Sequence, residues 1–262
     1  MRSKRLMSEM TWMEVKDAVD DGCGVILPIG ATEQHGPHMP LCTDALLAER
    51  MALDVAKETN LIVAPTVSYG FRSRPCTGGG QTFPGTTSVS GSTLTAVIMD
   101  VVKEFIRTGF RKIVLFNWHF ENSNFIYDAA YNVLEDRKRD YPDLKLLIIE
   151  SPFSELKPET MEYVFEGHFP GWGIEHASIF ETSVMLYVAP ELVDFSKAKD
   201  DKAEYYPFYD MLPIPKRITT ESGILWKASL ATKDKGEVVW KEISQNLVEC
   251  VNMEFTRWEK EN

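Results

Sequence analysis

The sequence predicts an α/β protein with three α/β/α layers, in which a mostly parallel central sheet lies between two layers of helices. Short apolar runs alternate along the chain with longer segments of helical periodicity, and repeated βα units of this kind form parallel sheets. The runs are continuously apolar, which is typical of strands buried on both faces. With 262 residues and 44% hydrophobic content the chain can fill one large core, and no linker or repeat divides it. We therefore predict a single domain over residues 1–262.

The first half of the chain is predicted to alternate between helix and strand before it enters a long loop. Gly22 and Gly24 end a helical pattern before an apolar run, and Asp44 can cap the helix that follows. The loop is rich in Gly, Pro and Thr, and loops of this length in compact domains are usually functional or disordered. In chain order we predict a helix, a strand, a helix, a strand and the loop over residues 13–20, 24–30, 44–59, 61–70 and 72–91.

The second half continues the alternation and ends in a helix. In chain order we predict a helix, a strand, a helix, a strand and a final amphipathic helix over residues 92–109, 112–117, 124–139, 144–150 and 237–258. The apolar segment 177–188 fits either a helix or a strand. Residues 197–235 are richer in Pro, Tyr and charge and show no clear periodicity, so no element is predicted there.

The composition excludes several classes of function. The chain carries 39 acidic and 28 basic residues, and its net charge of -11 repels phosphate backbones and anionic membrane surfaces. No apolar run reaches the roughly 18 residues that a membrane span requires. The four cysteines form no CxxC pair, which argues against a structural zinc ribbon or a disulfide framework. We expect a cytoplasmic protein that acts on a small molecule and binds neither nucleic acid nor membrane.

Potential metal ligands follow two of the predicted strands. Reactive groups in open α/β sheets gather at the carboxyl ends of the strands, so the segments ATEQHGPHMPLCTD and WHFEN matter most. They offer Glu33, His35, His38 and Asp44 after the first strand, and His119 and Glu121 after the strand at 112–117. Any one such residue after a strand is most often an ordinary loop residue or a helix cap. Three of the five histidines lie in these two short segments, however, which favours a shared role.

The spacing of these residues points to a catalytic metal site. Glu33 and His35, like His119 and Glu121, are two positions apart and would lie on the same side of an extended backbone. Mixed imidazole and carboxylate ligation without thiolates suits zinc or manganese at an open catalytic site better than a structural site. A carboxylate such as Asp44 can bridge two ions.

A third segment, GWGIEHASIFETS, carries Glu175, His176 and Glu181 close to Trp172. A histidine beside a metal-activated water can move the proton to the leaving nitrogen, since histidines titrate near physiological pH. The adjacent carboxylate would orient it. The alternative is a core histidine beside a buried aromatic residue, and this segment alone does not decide between the two.

The loop TGGGQTFPGTTS contains three consecutive glycines, with Gly79 in the middle. It lacks the order of Lys and Ser/Thr in a P-loop and the GxGxxG spacing of a dinucleotide-binding fold, so we interpret it as a turn-rich wall of the substrate pocket. The chain also contains no GxSxG motif, which argues against a serine hydrolase with a nucleophile elbow.

Four segments of the chain resemble creatininase, the creatinine amidohydrolase family. They are LPIGATEQHGPHMPLCTD, GGGQTFPGTTS, NWHFENSNF and GWGIEHASIFETSVML, and the similarity runs from about Met10 to the region KASLATKDKGE. The first and third segments are specific, because EQHGPH with a downstream Asp rarely occurs together with HxEN after a strand. The resemblance implies a creatininase-like fold and a homohexamer built as a trimer of dimers.

The resemblance also implies roles for the site residues. One divalent ion, zinc or manganese, is expected on Glu33, Asp44 and His119. The second is expected on His35, Asp44 and Glu121, so that Asp44 and a water bridge the two ions. By the same resemblance His176 moves the proton with Glu175 beside it, and Trp172 lines the substrate pocket.

Several pocket positions depart from the family pattern. Trp118 stands where creatininase has Gly, Phe120 where it has Tyr, and Phe153 where it has a second pocket Trp. Gln81 and Thr82 stand where it has an Asn-His pair. Changes of size and hydrogen bonding in a pocket for one polar substrate alter specificity. The best prediction is that a metal-bridging hydroxide opens creatinine to creatine. Hydrolysis of a formamide intermediate, ring opening of a cyclic polyol ketone such as an oxidised inositol, and a non-catalytic metal-binding module remain as alternatives.

Overall fold

The computed structural model describes the backbone of residues 4–261 and the side chains of residues 4–257. Its central sheet contains β1 (Gly24–Ile29), β2 (Leu61–Val63), β3 (Lys112–Asn117) and β4 (Lys145–Ile149). The strand order is β2-β1-β3-β4, and each neighbouring pair is parallel. The predicted parallel sheet is therefore confirmed.

Within residues 4–261, seven α-helices surround the sheet. They are α1 (Trp12–Asp20), α2 (Thr43–Glu58), α3 (Gly91–Thr108), α4 (Ser123–Arg137), α5 (Pro158–Phe165), α6 (Ile179–Val188) and α7 (Lys233–Glu261). Helices α1, α3 and α4 pack against one face of the sheet, and α2, α5, α6 and α7 pack against the other. None of the helices within residues 4–261 is long and apolar enough to span a bilayer.

A hydrophobic core on each face of the sheet explains why the strand sequences are continuously apolar. In β1, Ile26 belongs to the core under α2, whereas Val25 and Leu27 belong to the core under α3 and α4. Successive side chains of a strand point to opposite faces, so a strand covered on both faces has no polar side. The three-layer α/β/α architecture is confirmed, and the single domain over residues 1–262 stays a prediction that the shared sheet supports.

The structure corrects the prediction for three segments. The strand predicted at 61–70 ends at Val63, because Pro65 has no N–H to donate to the neighbouring strand. Helix α5 was not predicted, and its local signals are Pro158 and the acidic Glu159 in the first turn. Segment 177–188, for which helix and strand were left open, forms helix α6, and α7 begins at Lys233 rather than at residue 237.

Asp44 does not cap helix α2. Cys42 occupies the N-cap position without a side-chain hydrogen bond, and Asp44 lies within the first turn, where it is 2% exposed. A capping carboxylate would be committed to backbone N–H groups of its own helix. Asp44 is therefore available for contacts at the end of the sheet.

The chain leaves the two central strands in opposite directions. After β1 it enters α2 on one face of the sheet, and after β3 it enters α4 on the other face. Divergent connections from adjacent parallel strands open a crevice at their carboxyl ends, where open α/β proteins bind ligands. In this protein the crevice lies beyond the pair Ile29 and Asn117.

Candidate metal centre

The first turn of α2 packs tightly against the end of β1. A Cβ atom at Gly30 would lie 2.5 Å from the backbone nitrogen of Ala45, so only glycine lets the helix come this close. This approach brings Asp44 beside the loop that carries Glu33 and His35, which are 3% and 1% exposed. Local packing at the strand end thus places three predicted ligands in one buried region.

His119 is held at the end of β3 by its neighbours. The Asn117 amide donates to the carbonyl of His119 at 2.7 Å, and the His119 N–H donates to the Asn117 side chain at 3.2 Å. The Asn122 amide donates to the carbonyl of Gly30 at 3.0 Å and ties this turn to the end of β1. These hydrogen bonds fix the backbone that carries the imidazole, as the orientation of a metal ligand requires.

Two groups of potential ligands share Asp44. His119 Nδ1 lies 3.2 Å from Glu33 Oε2 and 3.3 Å from Asp44 Oδ2. His35 Nε2 lies 3.2 Å from Asp44 Oδ1 and 3.7 Å from Glu181 Oε1. Within each group the potential ligand atoms lie within 4.8 Å of one another. A third group of the same kind combines Glu33 and His35 with His176.

Glu121 lies beside these groups rather than in them. His119 has an extended backbone, but the chain then turns into a 3-10 helix, Phe120–Asn122, so the expected period-two alternation ends before Glu121. The Glu121 carboxylate accepts hydrogen bonds from the Thr77 hydroxyl and the Arg74 N–H, and its Oε2 lies 3.5 Å from His119 Nε2. Among the described residues, Glu181 lies beside His35 and Asp44, where the family resemblance implies Glu121.

His38, the other histidine of the first segment, faces away from the centre. Its Nε2 lies 2.8 Å from the hydroxyl of Thr182, and His38 belongs to none of the three groups found among the described residues. Burial, with a smaller contribution from the charge of His35, lowers the pKa of His38 to about 4. His38 is therefore neutral at physiological pH and acts as a hydrogen-bonded core residue.

The buried polar atoms fit divalent metal ions. Within residues 4–257, His35 Nε2 and Asp44 Oδ2 are buried and make no hydrogen bond of suitable geometry. Unpaired buried polar atoms are costly, and a cation that accepts their lone pairs removes that cost. A donor set of imidazoles and carboxylates suits zinc or manganese.

The charges in the centre are strongly coupled. Burial alone would lower the pKa of His35, but Asp44 and Glu181 outweigh it and raise the pKa well above its usual value. Burial would raise the pKa of Asp44, yet His35 and His119 hold it well below its usual range. The Asp44 carboxylate is therefore ionised and able to bind cations.

Glu175 and His176 lie at the entrance to helix α6, in a tight turn in which Ala177 has a φ of 53°. His176 Nδ1 lies 3.9 Å from Glu181 Oε2, and Glu175 Oε1 accepts a hydrogen bond from the Phe180 N–H at 2.8 Å. Burial, and then the nearby charge of Glu181, raises the pKa of Glu175 to about 8. Glu175 is therefore mostly protonated at neutral pH.

The pKa of Glu175 makes the stability of the metal-free protein depend on pH. The folded-state pKa of about 8 lies above the usual 4.5, so the folded chain binds more protons than the unfolded chain between these values. This contribution is complete below pH 4.5 and is lost as the pH rises towards 8. In urea denaturation, we expect Glu175→Gln to gain stability relative to the wild type across this window. A difference between the two proteins that does not change with pH would contradict the shifted pKa.

Aromatic side chains form one wall of the site. The Phe153 ring lies 4.7 Å from that of Trp172 and 5.3 Å from that of Phe120, measured between ring centroids. These three residues, together with Trp118 and Phe180, line a cavity of about 40 Å³ that also contacts the ligand groups. The predicted pocket residues Trp118, Phe120, Phe153 and Trp172 are thus brought together.

Gly79 lies behind this cavity rather than on its wall. A Cβ atom at Gly79, which has a φ of 56°, would lie 3.2 Å from a side-chain carbon of Thr219. Its neighbour Gly80 is closer to the centre, since a Cβ atom there would lie 2.7 Å from Glu33 Oε1. The glycine loop therefore encloses a ligand carboxylate, and Thr77 is its residue on the cavity wall.

Comparison with known proteins identifies the family. The creatininase family model, described as creatinine amidohydrolase, matches residues 8–251. The creatinine amidohydrolase of Pseudomonas putida is 36% identical over 257 residues, which cover 97% of this chain and 99% of that protein. The 3-dehydro-scyllo-inosose hydrolase of Thermotoga maritima is 34% identical over 110 residues, covering 42% of this chain and 34% of that protein.

Solved structures show the same relationship. A crystal structure of creatininase superposes with a TM-score of 0.92 at 36% identity and covers 97% of this chain and 99% of that chain. A mutant creatininase in complex with creatine gives the same TM-score at 35% identity, with the same coverage. Other creatininase structures of this TM-score are described as a Zn-Zn type and as a Mn form. The chain therefore belongs to the creatininase family and is a hydrolase of that family.

Proposed function

We propose that this protein is a binuclear metal-dependent amidohydrolase that opens creatinine to creatine. The observation that carries the proposal is the pair of buried ligand groups that share Asp44 at the carboxyl ends of β1 and β3. The 36% identity to a creatinine amidohydrolase over nearly the whole of both chains supports the choice of substrate. A cytoplasmic location and a homohexamer stay predictions.

The residues of the centre would hold two divalent ions. Glu33, Asp44 and His119 would hold one ion, and His35 and Asp44 would hold the second together with Glu181 or Glu121. Zinc and manganese are supported by the donor set and by the forms in which creatininase has been solved. When bound, such ions polarise a carbonyl oxygen and lower the pKa of a water to near neutrality.

Two single variants decide the third ligand of the second ion. Because Glu181 Oε1 lies 3.7 Å from His35 Nε2, whereas Glu121 bonds with Thr77, we expect Glu181→Gln to lower the metal content towards one ion per chain. We expect Glu121→Gln to keep two ions. Metal analysis of both proteins after dialysis measures this difference. If Glu121→Gln loses an ion and Glu181→Gln keeps two, the third ligand of the second ion is Glu121, as the family resemblance implies.

The chain's own residues provide the remaining chemistry. Hydrolysis of a cyclic amide adds the oxygen of water to the carbonyl carbon, breaks the C–N bond and puts a proton on the leaving nitrogen. His176 lies between the ligand groups and the cavity and would move that proton. Phe153 and Trp172 would hold the planar ring of the substrate and exclude water. Protonated Glu175 adds no second negative charge beside Glu181.

The chain around Trp172 lets the aromatic wall adjust to a substrate. Trp172 is flanked by Gly171, which has a φ of 94°, and by Gly173, which has no neighbouring atom where a Cβ would lie. The aromatic wall can therefore shift at these glycines to admit the substrate.

A second candidate is hydrolysis of another small substrate in the same centre. Trp118, Phe120 and Phe153 all line the cavity, and they are among the positions that depart from the creatininase pattern. The match to a 3-dehydro-scyllo-inosose hydrolase supports a cyclic polyol ketone as the alternative, and a formamide fits the same chemistry. A non-catalytic module is disfavoured because the ligand groups and the proton-transfer histidine are all present.

Turnover by the purified protein tests the proposal. We expect hydrolysis of creatinine in the presence of Zn²⁺ or Mn²⁺ and none after chelation. The same preparation is assayed with hydantoins, formamides and cyclic polyol ketones. If the fully metal-loaded protein hydrolyses one of these compounds but not creatinine, the proposed substrate is wrong and the proposed mechanism stands. Full loading without any turnover would favour the non-catalytic module.

A further inference from the structure

Gln34 lies between two predicted metal ligands and is 5% exposed. Its amide nitrogen donates to the carbonyl of Gly223 at 3.0 Å and to that of Gly78 at 3.3 Å, and it also lies 2.9 Å from His176 Nε2. Its amide oxygen accepts a hydrogen bond from the Gly36 N–H at 2.9 Å. One buried side chain thus connects the loop after β1 with three other segments of the site.

The contacts decide which way the Gln34 amide points. The nitrogen faces two backbone carbonyls, which only accept hydrogen bonds, and the oxygen faces a backbone N–H, which only donates. A flipped amide would place its oxygen against both carbonyls and its NH₂ against the N–H of Gly36. The observed orientation satisfies every one of these groups.

The same contacts hold the His176 ring by its Nε2 atom. This atom lies 2.9 Å from the amide nitrogen of Gln34, which can donate to it, and 3.0 Å from the backbone carbonyl of Gln34, which can accept from it, so Gln34 offers a hydrogen-bond partner for Nε2 in either tautomer. The other ring nitrogen, Nδ1, is then left facing Glu181, with the Oε2 atom at 3.9 Å.

The space around the Gln34 side chain is closed. A Cβ atom at Gly223 would lie 1.8 Å from Gln34 Oε1 and 2.4 Å from its Cδ. A Cβ atom at Gly78 would lie 3.4 Å from His176 Nε2. Glycines at both positions therefore allow two loops to pack closely against Gln34 and His176. This packing holds the Gln34 side chain in its position.

We propose that Gln34 is a positioning residue that holds the His176 ring in one orientation, with Nε2 beside Gln34 and with Nδ1 turned towards Glu181. This inference rests on the proposed function, in which His176 moves the proton to the leaving nitrogen. Gln34 itself lies outside the residues that line the cavity, so it acts through the histidine. Small errors in the orientation of a reacting group cost large factors in rate.

The test combines Gln34→Met with crystallography, metal analysis and steady-state kinetics on creatinine. Methionine keeps the length of the side chain and loses both hydrogen-bonding groups. We expect two ions per chain, a kcat that falls by about 10- to 100-fold and a KM that changes much less. We also expect the His176 ring to leave the orientation in which Nε2 lies near the carbonyl of Gln34. Gln245→Met, on the exposed face of α7, is the matched control and should leave all four readouts unchanged.

A second variant acts on the same side chain from another loop. Gly223→Ala places a methyl group against Gln34. It should also lower kcat while changing KM much less. This variant tests the role of Gln34 if Gln34→Met does not fold. An unmoved His176 ring, a kcat within twofold of the wild type, or loss of metal in place of lost kcat would overturn the inference. If the wild type does not hydrolyse creatinine, the proposed function fails, whereas the ring orientation in the crystal still tests the role of Gln34.

Discussion

Replacing Asp44 by asparagine is expected to remove both metal ions and to lower creatinine turnover by about 10³-fold or more, because metal ions contribute several kcal/mol to such reactions. Asp44 is the one residue common to the two groups that hold His119 and His35. Its Oδ1 and Oδ2 atoms face different imidazoles, at 3.2 and 3.3 Å. An amide supplies one weak oxygen donor and one nitrogen that cannot bind a cation, so both ions lose a charged ligand. Metal analysis and a turnover assay on the same preparation measure the two effects.

The control for this variant is Asp20→Asn. Asp20 is a partner of Lys16 on the surface of α1, and exposed pairs of this kind contribute little to stability. We expect this protein to keep both ions and full turnover. An Asp44→Asn protein that still binds two ions per chain would show that Asp44 does not bridge them.

The Asp44 variant also tests the electrostatic description of the metal-free protein. Asp44 is one of the two carboxylates that raise the pKa of His35, and it has the same effect on His119. Without it, fewer carboxylates oppose the effect of burial, so both pKa values fall. Titration of the histidines by NMR in metal-free protein should therefore show both at lower pH in Asp44→Asn than in the wild type.

The sequence predicted the site best where chain topology alone brings residues together. Adjacent parallel strands end at the same edge of a sheet, so Glu33 after β1 and His119 after β3 had to be neighbours. Glu181 could not be assigned in this way, because it lies on α6, far along the chain from both strands. Its proximity to His35 depends on the packing of α6 against the sheet, for which the local sequence has no signal.

Local chain geometry explains the other differences. An extended backbone past His119 would place Glu121 on the same side as the imidazole, whereas a 3-10 turn begins at Phe120. The predicted cap at Asp44 was a reasonable interpretation of an acidic residue at a helix start, but the contacts of the buried site outweigh that local preference. Gln34 was overlooked because a buried amide between two ligands has no motif of its own.

His176→Gln is expected to lower turnover by about 10²- to 10⁴-fold, the usual contribution of a positioned acid or base, while the protein keeps both ions. The two groups that share Asp44 are complete without His176. Glutamine fills similar space and can still hydrogen-bond with Gln34, but it cannot carry a proton between two atoms. His168→Gln, at an exposed histidine, is the control and should behave as the wild type.

The metal content of His176→Gln separates two roles that the geometry alone allows. His176 also forms a group with Glu33 and His35. If it were a metal ligand, its replacement would remove an ion as well as turnover. Its Nε2 atom, however, lies 3.0 Å from the carbonyl of Gln34 and 2.9 Å from the Gln34 amide nitrogen, and a nitrogen engaged in either hydrogen bond is not available to a cation. If His176→Gln loses turnover but keeps both ions, and Asp44→Asn loses turnover and both ions, proton transfer is assigned to the histidine and metal binding to the carboxylate.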